Sequence, residues 1–212
     1  MDKQNAIVFD LGQVLLPIDF NAPVKAFKEL GLTDFDRLYH ETIQADLFDL
    51  LETGRISESE FRDEMRRISG EAWSDEEIDK AWSTIILDFR PETMHMLTRL
   101  REEFPLFLLS NTNSIHFRYY DAQIRQRFNS SGLNAYFDKA FYSHEMGLRK
   151  PDPEIFHRLL RETGLNPENS LFVDDNAENI KTATELGFQT VHHNPSEKIE
   201  NVIPEVLKKS KE

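Results

Sequence analysis

Cysteine is absent from the 212 residues, which excludes disulfides, thiolate nucleophiles and cysteine-ligated zinc together. Long apolar runs are absent too. None approaches the ~20 residues that cross a bilayer, and no basic stretch followed by an apolar segment opens the chain. Neither a membrane span nor a signal peptide is expected, and the cytoplasm is the expected compartment. Positive charge is scarce: 25 Lys and Arg face 38 Asp and Glu, a formal net charge of -13. Such a field repels a phosphate backbone or an anionic lipid surface, so nucleic acid and membrane are not expected partners. A small phosphorylated metabolite stays allowed, because a local cation and a metal outweigh the global field. Oligomeric state is left open between monomer and homodimer.

What is present fits a globular chain, 39% hydrophobic and 30% charged, long enough for one core domain carrying a smaller insert. Short apolar runs recur at Ala6 to Phe9, Leu106 to Leu109, Ala140 to Tyr142, Leu171 to Val173 and Phe188 to Val191. Each is bounded by polar or turn residues, as buried parallel strands are. The later runs alternate with helical segments. One starts at Asp152-Pro153 and stops near Gly164, another lies between Asp175 and Gly187, and a third opens at Pro91. This rhythm predicts an α/β fold, a three-layer Rossmann-like core with a parallel sheet.

Between the first and second runs the texture changes. Residues from Asn21 to Trp82 show helical periodicity without a strand, and Ser57 with Glu60 and Ser74 with Glu77 read as capping boxes. The expected division is therefore a core of residues 1–18 and 90–212 and a helical cap of residues 19–89, inserted after the first strand as four short helices. Phe27, Phe35, Phe48 and Phe61 read as the core of that cap.

Ligands of an open α/β sheet bind beyond the carboxyl ends of its strands. The first run ends on Asp10, the second on Ser110-Asn111-Thr112-Asn113, and the fourth on Asp174-Asp175-Asn176; Lys150 lies in the loop after the third. Taken singly, each has a structural reading as turn, cap or loop chemistry. Jointly they put three aspartates, a hydroxyl, amides and an ammonium at one edge. Carboxylates with nearby carbonyls suit a hard cation such as Mg²⁺. A hydroxyl, an amide and an ammonium suit a phosphoryl group. Neighbouring Asp174 and Asp175 repel each other unless something cationic sits there. His144-Glu145 and His192-His193 match no zinc-protease spacing and read as surface or loop groups.

The ordered set "IVFDLGQVL", "LLSNT", the lysine of "RKPDPEIF" and "LFVDDNAENI" resembles the four motifs of the haloacid dehalogenase superfamily of phosphohydrolases, over essentially the whole chain. "IDF", "GRIS", "GLRKP" and "DDNAENI" look like the bacterial alpha-D-glucose-1-phosphate phosphatase group within it. The resemblance implies a nucleophilic Asp10 that forms an aspartyl-phosphate. It implies Mg²⁺ held by Asp10, the Gly12 carbonyl and Asp175, with Asp174 acting through metal-bound water and Asn179 orienting the acidic loop. It also implies that Ser110, Asn111 and Lys150 bind the phosphoryl group.

Gly12 departs from the family pattern, which has an aspartate there as general acid and base. Such help is worth ~10²–10⁴-fold, and its loss bites hardest on poor leaving groups. An anomeric hydroxyl leaves more readily than a simple alcohol, so hexose 1-phosphates are the expected substrates. Asp19 has two readings: a substitute acid or substrate contact, or a cap for the helix near Asn21. Two alternatives compete with phosphatase activity. One is a non-catalytic phosphosugar-binding or regulatory protein; the other is a 2-haloacid dehalogenase, which needs an Asp nucleophile but no metal.

Overall fold

The structure, a computed structural model, describes residues 6–32 and 42–209. Five strands form one parallel sheet: β1 (Ala6–Phe9), β2 (Leu106–Ser110), β3 (Lys139–Tyr142), β4 (Ser170–Asp174) and β5 (Gln189–His192), in the order β3-β2-β1-β4-β5. All five apolar runs are strands. Every residue of β1, β2 and β4 is buried, which is why these segments read as continuous hydrophobic stretches rather than alternating ones.

Alternate residues feed two opposite layers. Ile7, Phe9, Leu108 and Val173 pack on one face with Met94, Tyr120, Ile124 and Ile203. Ala6, Val8, Leu109 and Phe172 pack on the other with Ile155, Phe156, Leu159 and Ala183. The helices supplying those layers are the three-layer architecture the strand rhythm predicts. In chain order the helices are α1 (Asn21–Glu29), α2 (Thr42–Glu52), α3 (Glu58–Ser69), α4 (Asp75–Ser83), α5 (Pro91–Leu100), α6 (Ser114–Phe128), α7 (Ser143–Met146), α8 (Pro153–Thr163), α9 (Ala177–Glu185) and α10 (Ile199–Lys209). Asp152 caps α8, and Gly164 ends it in the left-handed conformation that glycine adopts without a Cβ penalty. Among the described residues no helix is long and apolar enough to cross a membrane.

Helices α1 to α4 all fall between β1 and α5. Both capping boxes are formed: Ser57 and Ser74 each accept from a backbone N–H three residues on, and Glu60 and Glu77 reach back. These helices share an apolar cluster containing Phe27, Leu51, Phe61, Met65, Trp73 and Trp82. Phe27 and Phe61 are fully buried in it, Phe48 is partly buried against it, and Phe35 lies outside the described residues. The two connections between this helical layer and the sheet run side by side. Asp19 N donates to Ile85 O at 2.8 Å and Leu87 N to Pro17 O at 3.1 Å.

His116, in the first turn of α6, stitches the layers together. Asn113 caps α6, and its Nδ2 donates to His116 Nδ1 at 3.1 Å; His116 Nε2 lies 3.2 Å from the Trp82 carbonyl at the end of α4. That pattern fixes a neutral ring protonated on Nε2, and the imidazole also stacks on the Trp82 indole, centroids 4.9 Å apart. Burial lowers His116 from its ordinary 6.5 to about 4. Because the folded value is the depressed one, the unfolded chain takes up the proton first as pH falls. This stabilisation is intact above pH 6.5 and is lost toward pH 4, on the order of 3 kcal/mol for this group. Urea titrations of wild type and His116→Gln at pH 7 and pH 4.5 are expected to give a shallower pH dependence in the variant; parallel curves would refute the assignment.

Candidate active site

Parallel pairing puts Phe9 beside both Leu108 and Val173, so the residues after β1, β2 and β4 leave the sheet at one level. The strand order reverses at β1, the place where open α/β sheets leave a crevice. Asp10 continues the β1 ladder, its N–H donating to Val173 O at 2.8 Å, and its side chain turns into that crevice. The chain then folds back tightly: Leu15 and Leu16 both donate to Leu11 O, and Gln13 takes a φ of 56°.

Lys150 ties the loops together. Its ammonium lies 2.7 Å from Asp10 Oδ1 and 2.6 Å from Asp174 Oδ2, with the lysine 2% exposed. Its backbone is clamped by the Asn111 side chain, which donates to Lys150 O and accepts from Lys150 N, both at 2.9 Å. Asp174 is fully buried; Asn179 Nδ2 lies 3.0 Å from both of its oxygens, and the Asn176 N–H donates to Oδ1 at 2.8 Å. Asp175 is half-buried beside it, and its carbonyl lies 2.9 Å from His192 Nε2.

Asp10, Asp174 and Asp175 each bring a carboxylate oxygen within 4.8 Å of the others. Burial pushes the Asp10 carboxyl up to about 7, the Lys150 ammonium opposing the rise and Asp174 adding to it. Asp175 is raised by burial and then by Asp174. Burial works against the Lys150 charge, yet Asp10 and Asp174 outweigh it and hold the lysine above its ordinary value. Three carboxylates against one ammonium leave uncompensated negative charge in a buried, all-oxygen site. That is the donor set a hard divalent cation fits. With both Asp174 oxygens engaged by protein donors, Asp10 and Asp175 are the carboxylates most open to such an ion; Gly12 lines the same cavity.

The structure thus brings together Asp10, Gly12, Ser110, Asn111, Lys150, Asp175 and Asn179, all lining one cavity of about 280 Å³, with Asp174 directly beneath. The Asn111 side-chain amide holds the Lys150 backbone, and Asn111 also lines the cavity. One expectation needs correction. Asp19 is outside the cavity lining: its carboxylate accepts from Asn21 N at 2.9 Å, the helix-start reading and not that of a substitute acid. Of the histidines read as surface or loop groups, His193 lies in the loop after β5 and is buried there, 2% exposed, its N–H donating to Asp174 O at 2.8 Å.

Sequence reasoning missed the roof. Phe20, Phe48, Glu52, Trp82, Ile85 and Ile86, all from the helical layer or its connections, line the cavity, as do His116, Tyr120 and Arg149 from the core. Arg149 ion-pairs with Asp49 and lies 3.2 Å from Glu52, crossing from the Lys150 loop to α2. Only Arg149 carried a signal in the sequence, its place directly before Lys150.

A model of the haloacid dehalogenase-like hydrolases matches residues 4–187. The chain belongs to this family. It is 36% identical over 186 residues to a D-ribitol-5-phosphate phosphatase of Bacteroides thetaiotaomicron, covering 87% of this chain and 89% of that one. It is also similar in structure to a haloacid dehalogenase family enzyme from Bacteroides thetaiotaomicron, with a TM-score of 0.90 at 32% identity over 95% of this chain and 99% of that one. The wild-type form of that enzyme in complex with magnesium and inorganic phosphate gives a TM-score of 0.86 at 32% identity, covering 94% and 99% of the two chains.

If Asn179 holds Asp174 so that the neighbouring carboxylates can bind a cation, Asn179→Ala is expected to weaken Mg²⁺ binding ~10–100-fold. Calorimetric titration with MgCl₂ would read this, and an unchanged affinity would remove Asn179 from that role.

Proposed function

We propose that this chain is a Mg²⁺-dependent phosphatase that hydrolyses small phosphate monoesters, sugar phosphates among them, through an aspartyl-phosphate on Asp10. The observation that carries this reading is the buried Lys150 ammonium held between Asp10 and Asp174 at the floor of a roofed cavity. The magnesium and phosphate bound by the structural relative, and the phosphate-ester chemistry named for the sequence relative, support it. Hexose 1-phosphates and pentitol phosphates are the substrates to try first. Residues 19–89 are proposed as the cap that covers this site.

In this reading Asp10 Oδ attacks phosphorus, the ester oxygen leaves, and water cleaves the acyl-phosphate in a second step, so one difficult displacement becomes two. Lys150 meets the attacking carboxylate and the phosphoryl oxygens with the same ammonium, so that it stabilises charge as it spreads in the transition state. Ser110, 1% exposed at the end of β2, presents its hydroxyl at the cavity wall for a phosphoryl oxygen. Mg²⁺, held by Asp10, Asp175 and the Gly12 carbonyl, would supply Lewis-acid charge that lets an anionic nucleophile approach an anionic ester. Phe20, Ile85 and Ile86 make part of the cavity wall apolar, which lowers the local polarity and strengthens these attractions.

Phosphate release from a panel of sugar phosphates, with Mg²⁺ and with EDTA, tests the proposal; Asp10→Asn and EDTA are each expected to abolish turnover. Failure of every ester with Mg²⁺ present, despite measurable ligand binding, would favour the non-catalytic reading, and halide release from 2-haloacids would favour a dehalogenase.

Gly12 gives a second test. Its backbone does not need glycine: a Cβ there would meet only Ile18 Cδ1, at 3.4 Å, an ordinary contact. Gly12→Asp therefore fits and restores a carboxylic acid beside the leaving group. Its rate on alkyl phosphates is expected to rise at least ~10-fold relative to aryl phosphates. A uniform change across leaving groups would show that the missing acid is not what limits the enzyme.

A further inference from the structure

The chain has two tryptophans, both in the helical layer, and they differ in one respect. Trp73 Nε1 donates to Leu30 O at 3.0 Å. Trp82 Nε1 is buried and has no hydrogen-bond partner among the described residues. A buried indole N–H left unmade costs about 1–3 kcal/mol, and such groups are rare enough to call for a reason. Two rings stack on Trp82: Phe48 at 4.6 Å and 10°, and His116 at 4.9 Å and 22°. Trp82 also lines the cavity over Asp10 and Lys150.

Glu52, on α2, lines the same cavity. Its Oε2 is buried, accepts no hydrogen bond, and faces Arg149 Nη2 at 3.2 Å as an ion pair. The Arg149 Nε is itself a buried donor without a partner among the described residues. The roof over Asp10 and Lys150 is otherwise apolar, with Phe20, Ile85 and Ile86. A donor edge and an acceptor carboxylate set in an apolar wall are complementary to a hydroxyl, which accepts from one and donates to the other.

We infer that Trp82 Nε1 and Glu52 form the subsite for the leaving group, gripping hydroxyls of a sugar or polyol whose phosphate lies on Lys150. The inference rests on the phosphatase reading above and adds to it the class of leaving group. The stack of Phe48, Trp82 and His116 holds the indole in place, and Arg149 pairs with Glu52. An alkyl phosphate without hydroxyls leaves the Trp82 N–H without an acceptor, which is how a polar pocket rejects an apolar analogue.

The test uses Asp10→Asn with Mg²⁺ and two probes, ribitol 5-phosphate and n-propyl phosphate, followed by the two indole N–H signals in ¹H–¹⁵N spectra. Ribitol 5-phosphate is expected to shift the Trp82 signal and leave Trp73 in place, while propyl phosphate shifts neither. In kinetics, the ratio of kcat/KM for the polyol ester to that for the propyl ester is expected to exceed ~10 in wild type. It should fall ~3–30-fold in Trp82→Phe, which keeps the stack, and in Glu52→Gln, which keeps the shape. Equal shifts with both probes, or a ratio the two variants do not change, would overturn the subsite. Absence of phosphate release from either ester by wild type strikes the phosphatase reading itself.

Discussion

The site depends on one buried ammonium. Lys150 has left water to stand between two aspartates, and a charge in that position survives only where its partners and the groups around them are fixed. Each constraint is met by a different part of the chain. The β1 and β4 ladders hold Asp10 and Asp174 at one level, Asn111 grips the lysine backbone from β2, and Asn179 and the Asn176 N–H lock the second carboxylate. Removing Lys150 would leave Asp10 and Asp174 as buried carboxylates without a cation. The three-layer fold is thus also the device that brings four distant loops to a single cation.

That arrangement is still two positive charges short. Burial raises Asp10 and Asp175, Asp174 adds to the rise, and Lys150 opposes it without cancelling it. An added divalent ion resolves the imbalance and turns a destabilising cluster into a reactive one. The same accounting explains how a chain of net charge -13 handles an anionic ester. The long-range field repels it, but the field at the floor of the cavity is set by Lys150 and the metal within a few ångströms, well inside the screening distance of ~8 Å.

Much of this was legible in the sequence. Each strand could be read because parallel, two-sided burial demands an unbroken apolar run, and each core site residue because it stands where such a run ends. The capping boxes at Ser57 and Ser74 and the glycine stop at Gly164 were legible for the same local reasons. The α6 helix was harder, since it buries His116 and Asp121 among Ile115, Tyr120 and Ile124 and so blurs the apolar stripe. The α10 helix carries Pro204 in its interior, a residue that argues against helix.

The roof followed no such rule, and the difference is physical. A residue at a strand end inherits its direction from the ladder beneath it, so its partners can be anticipated. A residue on a packed helix owes its direction to the neighbouring helices; Trp82 is held where it is by Phe48 of α2 and His116 of α6, which both stack on its ring. No periodicity encodes that. It follows that the two halves of the cavity answer to different constraints. The floor is tied together by charges that cannot be moved singly, whereas the roof is joined to the core by the paired connections, the His116 imidazole, the Arg149 bridge and the Arg118 pairs with Glu58 and Asp79. In the proposed phosphatase reading, substitutions on α2 or α4 therefore change which organic group is admitted while leaving the Asp10–Lys150–Asp174 arrangement intact, so that new leaving groups can be acquired without rebuilding the charged floor.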